Sequence, residues 1–515
     1  MKIAFRIRLL VAATTLAALV ACSSNEGGVM SIPADEPDIR YTGRWNFDEP
    51  SHPWVGWSGS MVSIRFRGSE ISADVDFGDE GERLRVIVNG VPEEPARFIP
   101  AGRQSVLLAS GLDADTEHTV TLMKEAYATS RLTFYGFSVT GSEVLPSPPR
   151  PGRRIAFFGD SNMEGYSLYN EKNDGSNGTY FAYPATVSRM LGAEMYLQAL
   201  GSATLDGPTA NDVVSFVYSE AYDREDTDYR DGFEPQVIVI NAGANDIYRV
   251  DPATKKESTK QHYRNAIREL RNVYGDEPHI VLFNAYSWDV EEPAMYSEEI
   301  VDEIGGNLSV LLFPWCWEQW HADMINQAGQ AERLADYIVS LDLGFSRQRA
   351  AEVVSGYGDG FDVVNGSFEY AARDGYDGFG WRYYTDGVER VMDAAKASDG
   401  DYFIRLNQGE LVHQGLDATG DFLPGGTDGN QQYEVTASIR SVGLSGEAIV
   451  GADYEQQGLY KRENPEEHIF AVTDQWQDYT ATLTAPDGTW KTYVVLKSVS
   501  GDIEFDDVRM SGIEK

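Results

Sequence analysis

The stretch of sequence that decides the fold is Arg153-Arg154-Ile155-Ala156-Phe157-Phe158-Gly159-Asp160-Ser161-Asn162. Its apolar part is continuous rather than alternating, which is typical of a parallel strand covered by helices on both faces. Similar apolar runs follow at residues 195–199, 237–241, 280–285 and 310–313, and stretches with helical periodicity lie between them. The pattern predicts a doubly wound α/β domain over residues 153–345, built on a parallel five-stranded sheet.

Both flanks of this domain carry β signals instead. Residues 38–145 contain short alternating runs separated by turn residues such as Asn89-Gly90, and a stiff Pro-rich linker follows at residues 146–152. Alternating runs return after the α/β domain and continue to the end of the chain. We therefore expect a multidomain protein, with an N-terminal β-sandwich at residues 38–145 and a second β-sandwich at residues 360–515.

The N-terminus predicts export. Basic residues precede an apolar run at residues 9–21, which is too short for a permanent transmembrane helix and is typical of a signal peptide. The run ends in Leu19-Val20-Ala21-Cys22, which resembles a bacterial lipobox with an acylated cysteine; an ordinary signal peptide with a chance cysteine is the alternative. We expect residues 22–37 to be a flexible tether, and Ser23 after the cysteine favours the outer membrane.

The net charge of the chain limits the classes of molecule that it is expected to bind. Acidic side chains number 81 and basic side chains 42, which gives a formal charge of −39 at pH 7. Such a field repels nucleic acid, so nucleic acid is not an expected partner. The second cysteine, Cys316, lies between Trp315 and Trp317 and is expected to be a buried apolar residue rather than a nucleophile.

Ser161 is the candidate nucleophile, because a serine on the turn after a parallel strand is exposed at the active-site edge of the sheet. Its hydroxyl needs a base at neutral pH, and histidine is the usual one. The α/β domain contains His262 on a helix, His279 before the fourth strand and His321 after the fifth. Only His321 is expected at the carboxyl edge.

Two further loops supply candidate donors for a negatively charged intermediate. Gly201 follows the second strand and could offer its backbone N–H, and Asn245 follows the third strand and could offer its side-chain amide. Such a donor is worth about 3–4 kcal/mol of activation barrier.

The Gly-Asp-Ser segment, Gly201, the Gly243-Ala244-Asn245-Asp246 segment and His321 together resemble the SGNH hydrolase superfamily. The resemblance implies a flavodoxin-like sheet, a Ser161 nucleophile and a His321 base. It also implies an oxyanion hole from the amides of Ser161 and Gly201 and the side chain of Asn245. It implies no metal or organic cofactor for catalysis.

The small β-domain, the Pro-rich joint and the strand before Ser161 resemble carbohydrate esterase family two, over about residues 38–345. This resemblance implies a jelly-roll sandwich before the catalytic domain and an acetyl esterase activity on acetylated polysaccharide, such as xylan or glucomannan. Three positions depart from the family pattern, namely Met163, Ser167 and Ala322. These departures bear on the acyl or sugar preference more than on the chemistry.

Two groups remain open as the partner that orients His321. Glu318 has the spacing of the superfamily's Asp-x-x-His, while some family members use a main-chain carbonyl, here that of Trp320. Trp315, Trp317 and Trp320 are candidates for stacking on sugar rings, with packing within their loop as the alternative.

The C-terminal β-region resembles carbohydrate-binding modules of families four, nine and twenty-two, through the Asn365-Gly366-Ser367-Phe368-Glu369 start, Trp381, the Trp476-Gln477-Asp478-Tyr479 strand and the Phe505-Asp506-Asp507-Val508 close. The resemblance implies a structural calcium ion, with Glu369 and Asp507 as candidate oxygen ligands.

Three functions are open at this point. The first is a sugar O-acetyl esterase, the second a serine hydrolase of a lipid or thioester, and the third a glycan-binding surface lipoprotein without catalysis. The complete set of Ser161, Gly201, Asn245 and His321 disfavours the third function. The flanking sandwiches and the Trp-rich loop favour sugar over lipid.

Overall fold

A computed structural model of the chain describes residues 28–93, 96–126, 128–168, 177–207, 209–222, 232–286, 293–314, 321–322, 324–352, 363, 366–369, 381, 387–417, 432–456, 465–486 and 489–513. The chain forms a β-rich region, a central α/β region and a second β-rich region. The predicted lipobox with Cys22 lies outside the described residues. Within the described part, no helix is both long enough and apolar enough to cross a lipid bilayer.

The N-terminal region contains eleven strands: β1 Val29–Pro33, β2 Arg40–Thr42, β3 Trp45–Asn46, β4 Trp54–Val55, β5 Met61–Asp76, β6 Glu82–Val88, β7 Val91–Pro92, β8 Arg97–Ile99, β9 Arg103–Ser110, β10 Glu117–Lys124 and β11 Leu132–Leu145. They form one hydrogen-bonded sheet along the path β3-β4-β11-β5-β10-β6-β7, with β1 paired to β11, β2 and β9 to β5, and β8 to β6. Burial alternates along most of β5, as expected for a strand with one face on a core. The long strands β5 and β11 pair with each other and with β1, β2, β4, β9 and β10, and the remaining strands join the sheet through β4, β10 and β6. The expected jelly-roll description stays a prediction.

The predicted tether at residues 22–37 is wrong for its second half. Residues 29–33 form β1, which pairs antiparallel with β11 from Val29 opposite Thr140 to Pro33 opposite Gly136. Ile32 on this strand is buried in the core of the N-terminal region. The sequence signal was weak because the strand is only five residues long and ends in proline, which usually demotes a segment to a sheet edge.

The central region alternates strands and helices: β12 Arg154–Gly159, α1 Ser161–Glu164, α2 Tyr183–Leu191, β13 Glu194–Ala199, α3 Val213–Tyr218, β14 Val237–Asn241, α4 Ala244–Arg249, α5 Lys255–Tyr274, β15 His279–Tyr286, α6 Pro293–Ile304, β16 Leu308–Pro314 and α7 Met324–Ser340. The five strands are parallel and lie in the order β13-β12-β14-β15-β16. This confirms the predicted parallel α/β domain, and the strand order is the flavodoxin-like one.

Alternate residues of β12 are buried on opposite faces of this sheet. Ile155 and Phe157 of β12 pack into one apolar cluster with residues of α2 and α7. Ala156 and Phe158 pack into a second cluster with residues of α3 and α5. The continuous apolar run that begins the domain is therefore explained by helices on both faces.

The α/β domain extends past its predicted end at residue 345. Phe345 is buried in the cluster that contains Phe157, and the backbone N–H of Gln348 donates to the carbonyl of Met190 at 2.7 Å. Arg189 of α2 forms an ion pair with Glu352 at 2.5 Å. These contacts attach residues 346–352 to α2, which no periodicity in that short polar segment could indicate.

Buried charges join the N-terminal region to the α/β domain. The Arg44 guanidinium donates through Nη1 to the carbonyls of Phe216 at 2.6 Å and Ser219 at 2.7 Å, at the carboxyl end of α3. A cation at this end of a helix is stabilised by the carbonyls that lack helical partners. The N-terminal region is thus fixed to the α/β domain through specific contacts.

The C-terminal region consists of β17 Val388–Met392, β18 Tyr402–Leu406, β19 Leu411–Asp417, β20 Gln432–Ser441, β21 Ser445–Gln456, β22 Glu466–Thr473, β23 Gln477–Thr484, β24 Thr489–Ser500 and β25 Ile503–Ile513. One sheet has the order β17-β18-β25-β20-β23 and the other the order β19-β24-β21-β22. Both sheets contribute to one apolar cluster, which also contains Phe368 and Trp381. This arrangement agrees with the predicted second sandwich.

Candidate active site

Ser161 lies where β12 ends and α1 begins. The carboxylate of Asp160 caps α1 by accepting from the backbone N–H of Asn162 at 3.1 Å. Gly159 has no room for a side chain, because an added Cβ atom would lie 2.5 Å from the carbonyl oxygen of Asn241. The end of β12 therefore packs closely against β14, and Ser161 follows it at the carboxyl edge of the sheet.

His321 meets Ser161 across 160 residues of sequence. Its Nε2 atom lies 2.8 Å from the Oγ atom of Ser161, which is hydrogen-bond distance. The ring of Tyr166 lies against the imidazole, with the ring centroids 4.6 Å apart. The structure thus brings together the two residues that sequence reasoning paired, and their distance suits a nucleophile and its base.

The protonation state of His321 also suits a base. Burial disfavours the charged imidazolium and lowers the pKa of His321 to about 4. The imidazole is therefore neutral at pH 7, and Nε2 can accept the proton of the Ser161 hydroxyl when Nδ1 carries the ring proton.

This pKa predicts the acid limb of the pH–rate profile. Activity requires neutral His321, so kcat/KM should fall as the pH drops through the pKa of His321 in the free enzyme. Without a carboxylate on Nδ1, that midpoint lies well below 6.5. An ionised Glu318 on Nδ1 would raise it, because the carboxylate stabilises the imidazolium.

The measurement is kcat/KM for a chromogenic acetate between pH 3 and 8, for the wild type and for Glu318→Gln. A low midpoint that Glu318→Gln leaves unchanged assigns the orienting role to the Trp320 carbonyl. A midpoint near or above 6.5 that falls in Glu318→Gln assigns it to Glu318.

Asn245 lies at the same edge of the sheet, at the start of α4. Its Nδ2 atom donates to the carbonyl of Ala203 at 2.9 Å and lies 3.4 Å from Oδ2 of Asp160, the residue before the nucleophile. The Ala203 bond uses one amide hydrogen, and the second hydrogen makes only a long contact. The side chain is therefore oriented by the neighbouring loop, and its second hydrogen is weakly held by Asp160, the residue before Ser161.

Gly201 lies close to Ser161, but its amide has another partner. A Cβ atom added to Gly201 would lie 4.0 Å from Cβ of Ser161. Its backbone N–H donates to the Oε2 atom of Glu164 at 2.9 Å. In this conformation the Gly201 amide is bound to a carboxylate rather than available to an oxyanion, so its predicted role as a donor stays a prediction. The motif cannot reveal this, because the acceptor is 37 residues away in the sequence.

Sequence reasoning missed a polar network behind Ser161. The Asn162 side chain donates to Asn241 at 3.0 Å and to Gln330 at 3.2 Å, and Gln327 donates to the Asn162 carbonyl at 2.8 Å. Gln327 and Gln330 are buried on α7, the helix that follows His321. The network fixes the nucleophile helix against α7, and its only sequence signal is two glutamines three residues apart.

The other two histidines of the domain have structural partners. His262 contacts the buried carboxylate of Asp246 at 2.7 Å, and this hydrogen bond raises the pKa of His262. Asp246 also accepts from the backbone N–H of Leu205 at 3.0 Å. His279 at the start of β15 lies 2.8 Å from the Ser309 hydroxyl. As the sequence predicts, His279 is at the opposite end of the sheet from Ser161.

Several predicted site residues cannot be placed. Glu318, Trp315, Trp317 and Trp320 lie outside the described residues, as does Cys316. Their predicted roles therefore stay predictions.

The proposed calcium ligands are not assembled into a metal centre. The Oε1 atom of Glu369 accepts from the backbone N–H groups of Asp401 and Tyr402, both at 2.8 Å. Asp507 faces the guanidinium of Arg509 at 3.4 Å. In the part of the chain that the structure describes, no three His, Cys, Asp or Glu side chains are grouped as metal ligands. The structural calcium ion therefore stays a prediction.

Comparison with known families agrees with this geometry. Residues 41–149 match the family described as carbohydrate esterase 2 N-terminal, and residues 157–360 match the GDSL-like lipase/acylhydrolase family. Residues 41–360, the family two unit, therefore have the two domains that are found together in SGNH carbohydrate esterases of family two. The order of the two domains and the pairing of Ser161 with His321 are those that the sequence resemblance implied.

Named relatives of this family two unit are esterases. The cellulase/esterase CelE of Acetivibrio thermocellus is 29% identical over 324 residues, which cover 58% of this chain and 39% of that protein. The acetylxylan esterase/glucomannan deacetylase of Cellvibrio japonicus is 22% identical over 258 residues, covering 48% of this chain and 72% of that protein. Matches of this kind indicate a carboxylic ester hydrolase domain.

A solved structure supports the same assignment. A family two carbohydrate esterase from Clostridium thermocellum, in complex with cellohexaose, is 28% identical and has a TM-score of 0.52. The similarity covers 59% of this chain and 98% of that one. The family two unit is thus similar to a whole solved esterase chain, and the chain spans well under half the length of CelE.

Proposed function

We propose that this protein is a serine carbohydrate esterase that removes O-acetyl groups from acetylated polysaccharide of the xylan or glucomannan type. The observation that carries the proposal is the 2.8 Å contact between Ser161 Oγ and His321 Nε2 at the carboxyl edge of the sheet. The contact lies in a family two esterase unit. A base-paired serine at that edge is the arrangement that acyl transfer requires.

In the first half of the proposed reaction, the Ser161 hydroxyl attacks the acetyl carbonyl while His321 takes its proton. The tetrahedral intermediate collapses when the C–O bond to the sugar breaks, and the imidazolium returns the proton to the leaving sugar oxygen. An acetyl-Ser161 ester and a free sugar hydroxyl result. In the second half, His321 takes a proton from water, whose oxygen attacks the acetyl carbon. The bond between that carbon and Ser161 Oγ then breaks, and the imidazolium returns the proton to Oγ, which releases acetic acid and regenerates Ser161 and neutral His321.

Sugar is the proposed substrate class for two reasons. The similar family two structure holds cellohexaose, and the Cellvibrio relative is named for acetylxylan and glucomannan. The protein's charge of −39 also favours a neutral glycan over anionic lipid or nucleic acid.

The test is acetate release from acetylated xylan, acetylated glucomannan and a chromogenic acetate by the purified mature protein. We expect release from at least one polysaccharide as well as from the chromogenic ester. Release from the chromogenic ester alone would favour another ester substrate, such as a lipid or thioester. Release from none of the three would favour a glycan-binding protein without catalysis.

We also propose a place and an accessory role for the rest of the chain. Cys22, within Leu19-Val20-Ala21-Cys22, would anchor the protein to the bacterial outer membrane through lipid. The C-terminal two-sheet region would bind glycan as a carbohydrate-binding module, which raises the local concentration of substrate.

A further inference from the structure

Glu164 is a buried carboxylate that contacts the active-site loops and is used by no step of the proposed reaction. It is the last residue of α1, three positions after Ser161, and its residue surface is 1% exposed. Its Oε2 atom accepts from the backbone N–H of Gly201 at 2.9 Å, and its Oε1 atom accepts from that of Ala128 at 3.4 Å. One side chain therefore joins the nucleophile helix, the loop after β13 and the N-terminal β-region.

The surroundings of Glu164 are charged as well as buried. The N-terminal region contributes Lys124, whose side chain is buried and donates to the carbonyl of Ala126 at 2.6 Å. Burial raises the pKa of Glu164 to about 7, while Lys124 favours its ionised form and Glu82 opposes it. A carboxylate removed from water depends on such partners, so its hydrogen bonds to the two amides are strongly preferred.

The loop after β13 has a residue with an unusual backbone conformation between two hydrogen-bonded residues. Ser202 has a φ of 66°, a left-handed conformation that a residue with a side chain rarely adopts. The bond from Gly201 N–H to Glu164 holds one side of this residue. On the other side, the carbonyl of Ala203 accepts from the side-chain amide of Asn245 at 2.9 Å.

We propose that Glu164 is a positioning residue for the oxyanion hole. By binding the Gly201 amide, it holds residues 201–203 in the conformation in which the Ala203 carbonyl orients Asn245. Because Ala128 and Lys124 support Glu164, the N-terminal β-region is a structural part of the esterase centre. The kinetic consequences of this inference rest on the proposed esterase function, whereas its structural consequences do not.

The kinetic test compares Glu164→Ala, Glu164→Gln and the control Glu125→Gln. Glu125 is a second fully buried carboxylate of the same region and pairs with Arg85 at 2.8 Å. For Glu164→Ala we expect kcat for a chromogenic acetate to fall about 10- to 100-fold, with KM changed less than about threefold, since only transition-state stabilisation is lost. Glu164→Gln keeps a carbonyl acceptor for Gly201 and should recover part of the loss. Glu125→Gln should lower Tm without lowering kcat.

A double-mutant cycle separates positioning from a general loss of structure. If Glu164 acts through Asn245, then Glu164→Ala should lower kcat little further in an Asn245→Ala background. If the fold-decreases in kcat of the two single variants multiply in the double variant, the inference is contradicted. A fall in kcat in the Glu125→Gln control as large as that in Glu164→Ala would also contradict it.

Amide hydrogen exchange tests the inference without turnover. Peptides that contain residues 200–206 should exchange faster in Glu164→Ala than in the wild type and Glu125→Gln. Unchanged exchange in Glu164→Ala would overturn the inference. A wild-type protein that releases no acetate would contradict the proposed function, while the exchange measurement still decides the role of Glu164.

Discussion

Replacing Ser161 by alanine is expected to lower kcat/KM for acetate release roughly 10⁴- to 10⁶-fold, the range seen when a serine nucleophile is removed. The variant loses the atom that forms the acyl bond, so hydrolysis would have to proceed by direct attack of water on the ester. The wild type and Ser161→Ala should bind substrate similarly and unfold at similar temperatures, since the described hydrogen bond of the removed oxygen is with His321.

The chain offers a matched control for this prediction. Ser309 and His279 form a second serine–histidine contact of 2.8 Å, at the opposite end of the same sheet. Ser309→Ala should leave acetate release unchanged, because that contact is remote from the carboxyl edge. Initial rates with a chromogenic acetate, together with Tm, check both variants. A Ser161→Ala protein that retains more than about one tenth of wild-type activity would contradict the assignment.

Replacing Asn245 by alanine is expected to lower kcat about 10²- to 10³-fold and to leave KM almost unchanged. The oxygen of the acetyl group carries a full negative charge only in the tetrahedral intermediate, so a donor aimed at it stabilises the transition state more than bound substrate. We expect Asn245 to supply most of this stabilisation, because the Gly201 amide is bound to Glu164 in the present conformation.

Asn265→Ala is the control for Asn245→Ala. Asn265 lies on α5 and donates to the carboxylate of Asp206 at 2.5 Å, so its loss removes an asparagine hydrogen bond away from Ser161. Steady-state kinetics should show wild-type kcat for this control. A small effect of Asn245→Ala, below about threefold, would mean that backbone amides alone hold the oxyanion.

The parallel sheet could be predicted because a strand that is buried on both faces has an uninterrupted run of apolar residues. Residues 155–158 are apolar without interruption, and the structure packs them alternately into two clusters. The edge position of His321 followed from chain order, since it comes after the last parallel strand. His279 is the first residue of β15 and therefore lies at the other edge.

Long-range hydrogen bonds could not be predicted in the same way. Nothing in the sequence near Gly201 indicates that its amide binds the side chain of Glu164. The three-residue spacing of Gln327 and Gln330 likewise gives no hint that both contact Asn162, because an isolated polar pair on a helix usually faces solvent. Such contacts depend on how separate elements approach each other, which local periodicity does not record.

The most direct test of the central claim is covalent labelling of the hydrolytic centre. The mature protein is incubated with a fluorophosphonate ester, digested and analysed by mass spectrometry, with His321→Ala treated in parallel. We predict a single adduct on Ser161 in the wild type and much slower labelling in His321→Ala, because the imidazole activates the hydroxyl. Labelling at a different residue, or no labelling of the folded wild type, would contradict the claim that Ser161 and His321 form an esterase centre.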